Sequence, residues 1–248
     1  MADITTGRNG AEVTWFDADL LPAFETGLFD PDWLARTGRL TGSSTGRHTA
    51  WFLRHEGRDM VLRHYWRGGM VGRIVKDLYL REPVDKSRAM REFILLDWMQ
   101  GQGLPVPRPI AARFCPLGPW YRADLLMDRI PEARPLADLL AEAPLPVAGW
   151  RRIGGVIARF HRAGVHHSDL NCRNILLDGA GDIWLIDFDK CDRRAQGRWT
   201  QDNIDRLERS LIKEKGKVPA LHWTATDWQA LLEGYNGAGQ ARAESRGS

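Results

Sequence analysis

Apolar and polar positions change period along the chain, and the changes mark out its elements. Trp150, Ile153, Ile157 and Phe160 recur at i, i+3, i+7 and i+10, which predicts a helix with one buried face, ending near Gly164. Ala89, Phe93 and Leu96 predict another over residues 86–100, with Asp85 as its cap and Gly101 as its stop. Residues 49–54 and 59–64 read as two strands joined by a turn, and the run Gly42-Ser43-Ser44-Thr45-Gly46 precedes them, resembling a hairpin with a glycine-rich tip. Residues 104–109, Leu-Pro-Val-Pro-Arg-Pro, must be extended because each proline restricts its predecessor; a strand pair follows, ending at residues 123–129. Two short strand-like runs, 174–177 and 183–186, are joined by a turn at Asp178-Gly179-Ala180-Gly181-Asp182. The first half is therefore mixed in type and the second mainly helical, with no internal repeat. This places a first lobe at residues 1–130, a helical lobe at 131–236, and a small polar tail at 237–248 that reads as disordered.

Composition narrows the class. The 248 residues are 43% hydrophobic, enough for a sizeable core without staples. Cys115, Cys172 and Cys191 are odd in number, widely spaced and without a C-x-x-C pair, which argues against a disulfide framework or zinc module and for a reducing compartment. No secretory signal pattern opens the sequence, and nowhere do about 18 apolar residues run together, so a soluble or peripheral protein is expected. Net charge is only +3, yet residues 58–81 carry six basic residues against two acidic ones. Tyr65, Trp66, Ile74 and Tyr79 interleave with those bases, a pattern suited to an anionic, partly apolar surface such as lipid; a solvated basic helix face would read the same way.

The chemistry concentrates in His167-Ser168-Asp169-Leu170-Asn171-Cys172-Arg173-Asn174, followed thirteen residues after Asn174 by Asp187-Phe188-Asp189. A carboxylate on a loop, an amide five residues on and a second carboxylate across a hairpin can converge on one point. Phosphoryl transfer needs that set: one carboxylate to orient an attacking hydroxyl and accept its proton, and hard oxygen ligands for magnesium on the phosphates. Taken singly, Asp169 and Asn174 would read as turn caps and Asp187 as a strand end; jointly the pairing is specific. His166, His167 and Cys172 make a weaker metal site, because adjacent histidines do not easily share one ion and a fourth ligand is lacking; His167 reads instead as a brace for the loop. Upstream, Gly42 and Gly46 bracket a turn whose backbone N–H groups could cover phosphates. Arg63 ends a Val-Leu run where protein kinases carry the lysine of V-A-I-K, and a guanidinium can also bridge phosphate oxygens and a carboxylate. Glu92 falls on the apolar stripe of the 86–100 helix, where a charge should be paired, and Arg63 is its natural partner.

These residues resemble the protein-kinase-like superfamily. The stretches LRHYWRGG (62–69), GLPVPRPIAAR (103–113), HSDLNCRNILL (167–177), IDFDKC (186–191) and NIDRLERSLIKE (203–214) are similar, more narrowly, to the 3-deoxy-D-manno-octulosonic acid (Kdo) kinases of Gram-negative bacteria, relatives of the lipopolysaccharide heptose kinases. The resemblance covers nearly the whole chain except its ends. It implies an α+β, protein-kinase-like bilobal fold with a small β-rich N-lobe and a mainly helical C-lobe. It further implies phosphorylation, dependent on ATP and Mg2+, of the 4-hydroxyl of Kdo on a lipid A precursor. The enzyme would be peripheral on the cytoplasmic side of the inner membrane, an anionic surface, with no nucleic acid and no protein partner expected. Carried over, Asp169 is the catalytic base, Asn174 and Asp187 ligate magnesium, and Gly42, Gly46, Arg63, Glu92 and Met127 serve the nucleotide. Arg67, Arg73 and Lys190 are candidates for acceptor or lipid contact. Only about a dozen residues separate Asp187 from the helix-like run near Thr200, with no A-P-E segment, so a small or lipid-linked acceptor fits better than a peptide. A heptose kinase or aminoglycoside-type phosphotransferase would share H-x-D-x-x-x-x-N; the LRHYWRGG block separates them. A non-catalytic membrane scaffold is suggested by Arg63 in the lysine position and opposed by intact Asp169, Asn174 and Asp187. Nucleic-acid binding ranks last, given a net charge of only +3.

Overall fold

The structure, a computed structural model, describes residues 4–22, 24–44, 50–65 and 77–240. The chain divides into two compact units: Met1–Gly101 with Pro107–Arg129, and Gln102–Val106 with Ile130–Ser248.

The first unit is built on antiparallel strands β1 (Ile4–Asn9), β2 (Glu12–Asp17), β3 (Leu40–Ser44), β4 (Ala50–His55), β5 (Arg58–His64), β6 (Tyr79–Leu80), β7 (Pro109–Leu117) and β8 (Trp120–Asp128), with helices α1 (Pro31–Arg36) and α2 (Arg88–Gly101). Their order across the sheet is β1-β2-β7-β8-β5-β4-β3, with β6 also pairing β8. Inward residues Leu53, Met60, Leu62, Ile110 and Leu126 pack with Leu21, Leu28, Phe29 and Leu34 into one core, the alternation a half-buried sheet requires. The β4–β5 turn has Glu56 at φ 50° and Gly57 at φ 79°, the double left-handed geometry that matches strand twist in tight hairpins. Asp30 caps α1, its Oδ1 accepting from the N–H groups of Asp32 (2.9 Å) and Trp33 (3.3 Å).

Three expectations change here. The helix expected over 86–100 begins at Arg88, after a 3-10 turn at Val84–Lys86. Asp85 belongs to that turn, and the Ser87 hydroxyl donates to the Val84 carbonyl at 2.7 Å. Gly42 does not open a turn: it lies inside β3, paired with Phe52 next to an irregularity in register. The β1–β2 hairpin had no counterpart in the sequence reading. Gly46, Arg67 and Arg73 lie outside the described residues.

The second unit carries α3 (Leu136–Glu142), α4 (Val147–Arg162), α5 (Trp199–Lys217) and α6 (Ala225–Gln240), with short strands β9 (Arg134–Pro135), β10 (Val165–His166), β11 (Ile175–Leu177), β12 (Ile183–Leu185) and β13 (Asp192–Arg193). Strands β12-β11-β9 form one small sheet and β10-β13 another. Trp150, Ile153, Ile157 and Phe160 are all buried on α4, and Gly164, at φ 77°, ends the helix with its N–H on the His161 carbonyl (2.9 Å). Helix α6 runs through Gln240, four residues into the segment read as tail from Gly237. Among the described residues no helix is long and apolar enough to cross a membrane.

Candidate active site

In the second unit the segment from His167 to Asn174 leaves β10 and enters β11. Its shape is set by His167, whose ring is buried. The Ile186 carbonyl lies 3.0 Å from Nε2 and can only accept, so Nε2 carries the proton; Nδ1 then accepts from the Asp169 N–H at 3.2 Å. Burial pushes this imidazole's pKa down, consistent with the neutral tautomer that both bonds demand. One ring thus ties the backbone of Asp169 to the residue before Asp187. A second tie lies alongside: the Ser168 hydroxyl donates to the Asp189 carbonyl at 2.8 Å, and its N–H to Cys191 Sγ at 3.2 Å.

Asn174 closes the ring of contacts. Its Nδ2 donates to the Asp169 carbonyl at 3.0 Å, and its own carbonyl accepts the Ile186 N–H at 3.0 Å, extending the β11–β12 ladder to the edge of Asp187. Asp169 and Asn174 are therefore bonded directly, and both are joined to Ile186, the residue before Asp187, through His167 and through the Asn174 carbonyl. Asp187 is held at φ 66°, a left-handed conformation that a non-glycine residue adopts at a cost and that re-aims its side chain. The donor chemistry fits magnesium. Committing Nδ2 of Asn174 to a carbonyl leaves Oδ1 as the atom that could ligate an ion, and with the Asp187 carboxylate it would make a two-residue set of hard oxygens. Magnesium takes few protein ligands and fills the rest with phosphate and water. Among the described residues no group of three or more His, Cys, Asp or Glu is placed to hold an ion, and the His166 and His167 rings are engaged by Asp192 and by the Ile186 and Asp169 backbone.

The residues that fasten this loop come from α5, and sequence reasoning had assigned them no role. Asn203 clamps both backbone groups of His167, accepting from its N–H at 3.1 Å and donating to its carbonyl at 3.0 Å. Arg206 Nη1 donates to Asp169 Oδ1 at 3.0 Å, the Ser210 hydroxyl accepts the Cys172 N–H at 3.0 Å, and Glu214 Oε2 takes Arg173 Nη2 at 2.7 Å. Positions 203, 206, 210 and 214 share one helix face, interleaved with the buried Ile204, Leu207 and Leu211. Polar residues at helical spacing beside an apolar stripe were the signal available in the sequence.

The first unit holds the other predicted group. Arg63, near the end of β5, makes an ion pair with Glu92 of α2, which is 3% exposed. Tyr65 completes it: its hydroxyl donates to Glu92 Oε2 at 2.6 Å and accepts from Arg63 Nη2 at 3.0 Å, with the Arg63 guanidinium 4.8 Å from its ring centre. A fork with several N–H donors can serve both partners, as one ammonium would do less well. Met127 lies in β8, 8% exposed, between Val61 of β5 and Pro109 of β7. Lys190 is exposed in a turn at φ 61°.

An antiparallel sheet whose Arg63 pairs with the buried Glu92 of its flanking helix α2, followed by a helical unit whose H-x-D-x-x-x-x-N loop is stitched to a D-F-D turn, defines an α+β phosphotransferase of the protein-kinase-like class. Residues 31–235 match the lipopolysaccharide kinase (Kdo/WaaP) family, and the chain belongs to that family. It is 44% identical over 226 residues to a 3-deoxy-D-manno-octulosonic acid kinase of Vibrio parahaemolyticus, covering 91% of this chain and 94% of that one. A protein of the same description from Vibrio cholerae is 40% identical over 232 residues (94% and 98%), and one from Haemophilus influenzae 40% over 219 (85% and 90%).

Proposed function

We propose that this protein transfers the γ-phosphate of ATP, as its magnesium complex, to the 4-hydroxyl of Kdo on a lipid A precursor, working as a peripheral enzyme on the cytoplasmic side of the inner membrane. The observation that carries the reading is the hydrogen-bonded assembly of Asp169, His167, Asn174 and Ile186-Asp187, with family membership supplying the acceptor. Asp169 orients the sugar hydroxyl and takes its proton as the oxygen bonds to the γ-phosphorus and the bond from that phosphorus to the bridging oxygen breaks, releasing ADP. His167, neutral and buried, keeps the Asp169 backbone in register with Asp187 and stays out of the proton's path. Asn174 and Asp187 would hold magnesium, which when bound would supply neutralisation of charge on the phosphates. Arg63, braced by Glu92 and Tyr65, takes the phosphate-contacting place that a lysine has in protein kinases. The basic, aromatic-rich stretch within residues 58–81 supports attachment to an anionic membrane.

The test is transfer of labelled γ-phosphate to a Kdo-bearing lipid A precursor, beside a heptose-bearing core and a generic protein. Label on the Kdo lipid alone, dependent on magnesium, is the expected result. Asp169→Asn should lower kcat by about 10²- to 10⁴-fold with ATP affinity retained. Label on heptose alone would move the assignment to the neighbouring kinases, and no label anywhere would leave a scaffold. Sedimentation with phosphatidylglycerol vesicles, against neutral ones, tests the membrane attachment; equal recovery with both would remove it.

A further inference from the structure

We infer that Arg206 recognises the carboxylate of the acceptor sugar acid and so sets the specificity of the reaction; this rests on the function proposed above. Among the described residues Asp169 is the one hydrogen-bond partner of Arg206, through Nη1 at 3.0 Å, and the Arg206 side chain is 48% exposed. One edge of the guanidinium therefore faces the carboxylate that orients the hydroxyl, and the remaining N–H groups are open to a ligand. An exposed pair of this kind adds little to stability, whereas the neighbours of Arg206 on the same face of α5, Asn203 and Glu214, are buried and fasten the loop.

Charge makes the need specific. An acceptor carrying a carboxylate has to bring its hydroxyl up to Asp169, and two carboxylates repel each other unless a cation stands between them; magnesium would serve Asp187 and the phosphates. The loop's own arginine, Arg173, is committed to Asp138 (3.2 Å) and Glu214 (2.7 Å). Lys190 is exposed but offers a point charge on a separate turn, without a bond to the catalytic carboxylate. Arg206 offers a planar fork, the geometry that binds carboxylates with two parallel bonds, and it holds Asp169 by the same group. Recognition and reaction would then be coupled: the acceptor's carboxylate is bound by the group that fixes the position of the base.

The experiment compares a Kdo-bearing lipid A precursor with its carboxyl methyl ester as acceptors, for the wild type, Arg206→Gln, Arg206→Lys and Lys190→Ala. The wild type should prefer the free acid. Arg206→Gln should lower kcat/KM for the acid by about 10- to 100-fold, mainly through KM. It should lower the ester by a clearly smaller factor, the share owed to the bond Asp169 loses, and leave KM for ATP unaltered, with Arg206→Lys recovering part of the loss. Equal losses on acid and ester would overturn the inference, because the arginine would then serve Asp169 or the nucleotide's phosphate. Loss of the acid preference in Lys190→Ala instead would assign the carboxylate to Lys190. If the wild type phosphorylates neither acceptor, the functional reading falls and this inference with it. Unchanged melting of each variant confirms that exposed positions were altered without unfolding the loop.

Discussion

Arg63, Glu92 and Tyr65 show what one residue in a buried polar group is worth. Glu92 lies on the face of α2 that carries Phe93 and Leu96 into the core, so its charge is tolerated only with partners. Tyr65→Phe keeps the ring and removes both hydrogen bonds of the hydroxyl, to Glu92 and from Arg63, while leaving the ion pair in place, and should cost about 1.5–3 kcal/mol in urea unfolding. Glu92→Ala leaves the Arg63 guanidinium without its anion and should cost more, about 3–5 kcal/mol. Losses of equal size would mean that the hydroxyl, and not the charge pair, holds the group together. The pairing of Arg63 with Glu92 was legible in the sequence because a lone acid on an apolar stripe demands a cation. The part played by Tyr65 was not, since it needs the end of β5 brought against a helix 27 residues away. Asp169, Asn174 and Asp187 were legible for the opposite reason: their spacing is local, on one loop and one short hairpin.

Between elements, the contact of α4 with α6 is closest where two glycines meet backbone. A Cβ on Gly154 would fall 1.9 Å from the Leu231 carbonyl oxygen, and one on Gly234 2.0 Å from the Arg151 carbonyl oxygen. Neither oxygen can swing aside as a side chain would, so the helices would have to separate. Alanine normally favours a helix over glycine by about 1 kcal/mol; here overpacking reverses the sign. Gly234→Ala should lower stability by about 1–3 kcal/mol or more, while Gly237→Ala, three residues along the same helix with nothing within 4 Å, should be neutral or stabilising. Thermal melts of the two variants check this, and matching shifts would show that the helices do not approach so closely. The period of α4 announced its buried face, yet no period announces which glycines touch a neighbour's backbone. The same limit hid what α5 holds: the helix-like run near Thr200 was legible, but not that its Asn203 reaches His167 across 36 residues. It hid β1 too, whose residues are nearly all exposed and so carry no apolar alternation.

At the scale of the whole molecule, magnesium and nucleotide are read by the stability of the folded chain, because a ligand that binds only the native state stabilises it by mass action. At a hundred times its dissociation constant the gain is about 2.7 kcal/mol, and for chains of this size each kcal/mol moves the midpoint by about 2–4 °C. Magnesium with ATP should therefore raise the melting midpoint by about 5–10 °C, and ATP with excess EDTA by much less. The difference between the two isolates the metal. If Asp187 and Asn174 supply its protein ligands, Asp187→Ala should remove nearly all of that difference, and Asn174→Ala a part of it, because a carboxylate gives a divalent ion more than an amide does. The left-handed φ of Asp187 adds a control. Asp187→Asn tolerates that conformation as aspartate does, so it separates loss of charge from loss of backbone fit: it should melt like the wild type without ligand and still fail to respond fully to magnesium. A magnesium increment left intact in Asp187→Ala would place the metal on other residues and detach the D-F-D turn from the chemistry assigned to it.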